Sequence, residues 1–149
     1  MLKVVIIGYG EMFTNLIAGT LDANCEICGV LRKEMISYPP IIRKIKDVIN
    51  PSLDYNYIKS YNLPEINAKS VNSKEFKNTL LKLNPDIILV GSWGEIITKE
   101  IFDIPKIATI NAHPSLLPAY RGPNPYFWTI RNQEQTSGVT FHLVDKGLD

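Results

Sequence analysis

Two short apolar runs, each closing on glycine, limit the folds open to this chain. Lys3 to Ile7 reads KVVII and ends at Gly8; Asp86 to Val90 reads DIILV and ends at Gly91. Neither run alternates apolar with polar residues, so both faces of each strand must be covered. That is the situation of a central strand in a parallel sheet with helices on either side. Between the runs, Met12, Leu16, Ile17 and Leu21 recur at helical spacing over residues 11–21. A second strand is read from about Glu26 to Leu31, and a third, short one near Glu65 to Ala68. Tyr38-Pro39-Pro40 and Asn50-Pro51-Ser52 are turn chemistry, and IIRKIKDVI between them has the spacing of a short amphipathic helix. The rest of residues 38–62 shows no clear period. Asn72 or Ser73 is placed to cap the helix SKEFKNTLLKLN, which Asn84-Pro85 stops.

Downstream, residues 98–102 read as a short helix and Ile107 to Asn111 as a strand. Pro114 to Gly122 is loop, residues 124–132 are helical, and Gly138 to Val144 is a further strand. Strands alternating with helices predict an α/β fold: three layers around a mostly parallel, Rossmann-like sheet of about six strands. With 149 residues, no internal repeat and no linker, the chain is read as one domain, 1–149.

The charge is nearly balanced, 16 basic against 15 acidic residues, so no global field draws nucleic acid. No segment approaches the roughly 18 apolar residues of a spanning helix. The N-terminus MLKVVIIGYG reads as a buried strand, not a leader, so the expected location is cytoplasmic, with no membrane partner. Cys25 and Cys28 have no further ligands at zinc spacing, so no metal is expected. Three positions apart on a strand, they face opposite ways and read as core or edge thiols.

Gly8-Tyr9-Gly10 after the first strand is the start of a dinucleotide fingerprint. Phe13 stands where the third glycine belongs, and Leu31-Arg32-Lys33 where an acidic ribose ligand belongs. Arg32 leaves an NADP reading open. Equally, Gly8 and Gly10 could seat a substrate phosphate or carboxylate on a helix N-terminus.

The stretch from Ile110 to Asp149 carries the chemistry. Asn111 ends a strand and His113 follows two residues on, at the sheet edge where open α/β sheets bind ligands. An Asn amide can donate to an oxygen gaining negative charge, and a His can donate or move a proton. Asp145 and Asp149 flank the turn after the last strand and could supply a carboxylate. His142, inside GVTFHLV, is read as a strand-face residue. On these residues alone, an acyl-transfer site, a proton-transfer site and a purely structural His113 all stay open.

The whole pattern resembles the folate-dependent formyltransferases, which include methionyl-tRNA, glycinamide ribonucleotide and sugar N-formyltransferases. Asn111, His113, Ser115, Leu116, Leu117 and Pro118 match the family's N-x-H-x-S-L-L-P, and Arg121-Gly122 its following loop. Gly138-Val139-Thr140 and Lys146-Gly147-Leu148-Asp149 match its G-V/T-S/T strand and D/E-x-L-D turn, and WGEIITKEIFDIPKIATIN matches its Y-G-x-I-L-P segment. The resemblance covers residues 85–149 closely and the first half in outline. It implies a formyltransferase-like sheet whose last strand is antiparallel. It implies 10-formyltetrahydrofolate as co-substrate and no metal. Asn111 and His113 would stabilise the formyl oxyanion; Asp149 would orient His113 and relay the amine proton. Trp93, Glu95, Ile96, Ile97, Val144 and Asp145 would receive the folate. Gly8, Gly10, Ser115, Arg121 and Gly122 would serve the acceptor side and shape its loop.

Two departures bear on the acceptor. In methionyl-tRNA formyltransferases the loop after the second strand is rich in Arg, Gly and Lys, and here it reads LRKEMISYPPIIRK. A small amine, such as a nucleotide-linked amino sugar, is therefore favoured over tRNA, which stays as the alternative. The family's catalytic domain also continues past its aspartate, so the chain is read as C-terminally truncated. A formyltetrahydrofolate hydrolase and a folate- or nucleotide-binding module without turnover are the competing functions. The oligomeric state is left open.

Overall fold

The computed structural model describes residues 1–147. Twelve elements follow one another among them. They are β1 (Lys3–Gly8), α1 (Gly10–Asp22), β2 (Glu26–Arg32), α2 (Lys33–Ser37), α3 (Pro40–Ile49) and α4 (Leu53–Ser60), then α5 (Lys74–Leu83), β3 (Ile87–Gly91), α6 (Lys99–Phe102), β4 (Ala108–His113), α7 (Pro125–Arg131) and β5 (Thr140–Leu143). The sheet order is β2-β1-β3-β4-β5. The first four strands are parallel and β5 runs antiparallel to β4.

The two glycine-closed runs become the adjacent central strands β1 and β3, and their burial explains their composition. Val4 and Ile6 pack against Phe13, Leu16 and Ile17 of α1 and Ile58 of α4. Val5 and Ile7 pack on the other face with Met35 of α2, Phe76 and Leu80 of α5, and Ile101 of α6. Alternate residues of one strand thus serve two cores, which leaves no polar position from Val4 to Ile7. The closing glycines pair in register, Gly8 opposite Gly91. A side chain on Gly8 would collide with the Gly91 carbonyl oxygen, and one on Gly91 would come within 2.7 Å of Leu16 and 2.8 Å of Met12. Glycine at both positions lets α1 lie close against the sheet.

Among the described residues five strands form, one fewer than the six expected. The segment expected as a strand near Glu65 to Ala68 makes one parallel bridge, Val30 to Glu65. Val30 N–H donates to Pro64 O at 2.9 Å and Ile66 N–H to Val30 O at 2.8 Å. Pro64 has no N–H to extend that ladder. The Glu65 side chain accepts from Arg32 Nε at 2.9 Å. A helix that sequence periodicity does not reveal, α4, starts where the Ser52 hydroxyl accepts from Tyr55 N–H at 3.2 Å. Ser73, not Asn72, caps α5, accepting from Phe76 N–H at 3.2 Å. The amphipathic helix expected from IIRKIKDVI is α3, but Ile41, Ile42, Ile45, Val48 and Ile49 face outward and Asp47 faces the body.

Arg32 is 1% exposed. Its Nη1 and Nη2 donate to the two oxygens of Asp47 at 2.9 and 2.6 Å. The guanidinium also lies 5.0 Å from the Tyr55 ring centre. Burial alone would lower its pKa, but the bonds to Asp47 and Glu65 outweigh that and push it up. Its fork of donors is committed within the chain, which removes the residue on which the NADP reading stood.

Cys25 and Cys28 are both free thiols. Cys25 packs on the α1 side and Cys28 on the α5 side. Cys28 occupies a bulge where β1 shifts register against β2, and its Sγ donates to Val4 O at 3.5 Å. Among the described residues no helix is long and apolar enough to cross a membrane, and no three His, Cys, Asp or Glu side chains gather as a metal site.

Candidate active site

The C-terminal edge of the parallel strands gathers most of the residues singled out in the sequence. At the end of β1, Gly10 has φ of +68° and opens α1. Its N–H donates to both carboxylate oxygens of Asp54, at 2.9 and 3.1 Å. Asp54 comes from α4 and is 3% exposed. Burial pushes its carboxyl up, and the Gly10 N–H partly offsets the shift. The chain's own acid thus sits on the first N–H of α1, beside a cavity of about 380 Å³ lined by Tyr9, Lys33, Glu34, Tyr38, Lys46 and Asp54.

At the end of β3 the chain turns through Ser92, at φ of +58°, into a loop that runs to α6. Trp93 packs partly against the α5-side core, and its Nε1 is buried with no hydrogen-bond partner among the described residues. Residues 93–97 take part in no backbone–backbone hydrogen bond among the described residues. Ile96 O is held by a side chain, accepting from Asn72 Nδ2 at 2.8 Å.

On β4, Asn111 and His113 are two residues apart and share the sheet face that carries α5 and α6. The pairing Val90 opposite Asn111 fixes this, since Val90 belongs to that core. Antiparallel β5 sets His142 opposite Asn111 and Thr140 opposite His113. Asn111 Nδ2 donates to His142 Nε2 at 3.1 Å, and His142 Nδ1–H donates to Leu143 O at 3.1 Å. The two bonds together select the Nδ1–H tautomer of His142. The rings of His113 and His142 are 6.5 Å apart at 71°.

His113 is 4% exposed, and its Nε2–H donates to the Tyr120 carbonyl at 2.8 Å. Tyr120 supplies that carbonyl from a left-handed backbone, φ +58°, a conformation a bulky residue adopts only when its surroundings impose it. Its hydroxyl is fixed by Glu134, to which it donates, and by Asn132, from which it accepts at 3.0 Å. The bond to Glu134 raises the phenol pKa.

The loop between β4 and α7 is held to the site by Ser115 and Thr140. Ser115 is fully buried and its hydroxyl donates to Ala119 O at 2.7 Å. Thr140 Oγ1 donates to Ser115 O at 2.7 Å and accepts from Leu117 N–H at 3.1 Å. Arg121 is exposed on this loop, and Gly122 turns it at φ +81°. Val144 N–H donates to Thr109 O at 2.9 Å, which sets Val144 beside β4 two residues before Asn111. Asp145 folds back on itself, accepting from Gly147 N–H at 2.6 Å. Asp149 lies outside the described residues.

Asn111 and His113 thus stand on one strand face, while Ser115 turns its hydroxyl into the loop that follows. His142, read from the sequence as a strand-face residue, joins them. Its only signal is the register of a strand whose partner the sequence does not identify.

This chain matches the family model described as "Formyl transferase" over residues 2–149. It is 36% identical over 148 residues to the methionyl-tRNA formyltransferase of Clostridioides difficile (strain 630), covering 99% of this chain and 46% of that relative. Among solved structures it is similar to the phosphoribosylglycinamide formyltransferase from Bacillus halodurans, with a TM-score of 0.74 at 20% identity over 99% of this chain and 74% of that one. It is also similar to a sugar N-formyltransferase from Shewanella sp. FDAARGOS_354, with a TM-score of 0.60 at 21% identity over 100% of this chain and 53% of that one. The chain belongs to the formyl transferase family. It spans about half the length of the curated relatives that it matches end to end.

Proposed function

We propose that this protein moves a formyl group from 10-formyltetrahydrofolate to a primary amine. The observation that carries the reading is the placement of Asn111 and His113 on one face at the sheet edge, with Asn111 held by His142. The neutral amine attacks the formyl carbon, and the carbonyl electrons move onto the formyl oxygen. Donors about 2.8 Å from that oxygen lower the barrier because they are already oriented when the charge develops. Asn111 Nδ2–H is one of those donors; His113, whose Nε2–H goes to Tyr120 O, is the other when its Nδ1 also carries a proton. The new C–N bond forms, the bond to folate N10 breaks, and N10 takes up a proton. Asp149 takes the proton of the attacking amine, directly or through water.

The folate lies along residues 93–97, with Trp93, Glu95, Ile96 and Ile97 around the pterin and Val144 and Asp145 bordering it. The open backbone of this loop and the partnerless Trp93 Nε1 support that placement. The acceptor approaches over Gly10, Arg121 and Gly122, with buried Gly8 and Ser115 shaping the backbone beneath it. With Gly10 N–H already bound to Asp54, the acceptor meets a carboxylate there in place of a free backbone amide.

Two acceptor classes are in play, and different observations favour them. Lys33 to Ile49 folds as two short helices with Arg32 locked inside, which supports a small, nucleotide-linked amine. The curated relatives named methionyl-tRNA formyltransferase support the amine of methionyl-tRNA. Parallel assays with methionyl-tRNA and with an amino sugar nucleotide decide between them. Formate release with no amine present would show a hydrolase instead.

A further inference from the structure

Asn72 makes a two-point clamp on the loop between β3 and α6. Its Nδ2 donates to Ile96 O at 2.8 Å, and its Oδ1 accepts from Thr98 N–H at 2.9 Å. A carbonyl needs a donor and an N–H needs an acceptor, so the two partners fix the amide's orientation. Two residues earlier, the Ser70 hydroxyl donates to the carboxylate of Glu95 and accepts from Asn72 N–H at 3.1 Å. Val71 between them is fully buried in the core that also holds Ile97. Segment 70–72 is thus anchored in the core and grips residues 95, 96 and 98 of the loop. The loop has no hold of comparable kind, since residues 93–97 make no backbone–backbone hydrogen bond among the described residues.

We infer that Asn72 is a positioning residue for folate recognition, which sets the backbone of residues 95–97 in the arrangement that reads the pterin. The inference rests on the reading that these residues receive the folate. Asn72 itself touches no reacting atom. By joining Ile96 O to Thr98 N–H it fixes the loop before the ligand arrives, so binding does not have to order it. Its loss leaves Asn111, His113 and His142 undisturbed, because they stand on β4 and β5. A purely structural role would lower stability and the fraction of active enzyme, and so the apparent kcat, with both KM values unchanged. A positioning role raises the KM for folate and leaves kcat and the acceptor KM in place.

The test uses the full chain and the stable isomer 5-formyltetrahydrofolate as probe, with binding read by calorimetry. Asn72→Ala is expected to bind it about tenfold more weakly than wild type, the order expected when hydrogen bonds of ordinary strength that preorganise a site are lost. Its thermal midpoint should stay near that of wild type, since the side chain is at the surface. Asn72→Ser, too short to span the two partners, should match it. Ser60→Ala, at the end of α4, should bind as wild type does. In turnover, Asn72→Ala should raise the folate KM with kcat retained. Equal binding by wild type, Asn72→Ala and Asn72→Ser overturns the inference and leaves the functional reading standing. No binding by wild type overturns the functional reading itself, and the inference with it.

Discussion

Asn111 Nδ2 and His142 Nε2 meet at 3.1 Å because β4 and β5 set the two residues directly opposite each other. The bond aims the Asn111 amide from one side, and the Nδ1–H bond to Leu143 O aims the imidazole from the other. His142→Ala is therefore expected to lower transfer by tens of fold, the scale of a misplaced reacting group. Asn111→Ala should lower it by about a hundredfold or more, the usual loss for one oxyanion donor. The double variant should be no worse than Asn111→Ala, since His142 acts through Asn111. Additive losses would show that His142 has a separate role.

Gly8 and Gly91 give a prediction about stability. The Gly91 carbonyl blocks the space a Gly8 side chain would need, and backbone cannot swing aside. Gly8→Ala should cost about 1–3 kcal/mol, the range for overpacking a well-filled site. Gly19→Ala, inside α1 with nothing within 4 Å of the added carbon, should instead gain about 0.5–1 kcal/mol. Chemical denaturation of both variants checks the sign of each change.

Removing Arg32 should be severe. Arg32→Met strands the carboxylates of Asp47 and Glu65 in a site the guanidinium had filled. Breaking a buried pair from one side costs about 3–5 kcal/mol, and the lower end applies here because Glu65 keeps some contact with solvent. Arg32→Lys retains the charge without the fork that meets both oxygens of Asp47, so it should fall between wild type and Arg32→Met in urea denaturation.

Asp54 predicts a pH effect of unusual sign. Burial raises its folded pKa above the ordinary value of 3.8. A carboxyl raised on folding holds its proton better in the native state. Stability is then greatest below the unfolded pKa and is lost as pH rises through the folded one. The substitution Asp54→Asn keeps an oxygen for Gly10 N–H and drops the charge, so this variant should melt at least as high as wild type at neutral pH. The difference should vanish as the pH falls to 3.8 and below. A variant less stable at pH 7, with a deficit that closes in acid, would contradict this.

How far the sequence announces this structure depends on the reach of each interaction. β1 and β3 are legible because burial on both faces removes every polar residue from a short run. The cap at Ser73 and the glycine at Gly10 are legible because their causes lie within a few residues. The strand expected near Glu65 shrinks to the one bridge from Val30 to Glu65 because Pro64 has no N–H to extend it, while the Glu65 side chain serves Arg32, thirty-three residues away. Such distance makes His142, Asn72 and Asp54 opaque. Each acts on a partner more than twenty residues distant, through a register or loop contact that no local period encodes. Asn111 and His113 stand out through the motif that surrounds them, and the fold shows which sheet face they share.

The site as a whole stands or falls with His113. It is buried, anchored through Nε2 to the Tyr120 carbonyl, and set beside Asn111 on the same strand face. The decisive measurement is formyl transfer from 10-formyltetrahydrofolate to an acceptor amine by wild type and by His113→Ala, with folding of both verified by circular dichroism. Wild type should yield formylated acceptor, and His113→Ala should be slower by about a hundredfold or more. A folded His113→Ala with undiminished transfer would contradict the assignment of the site.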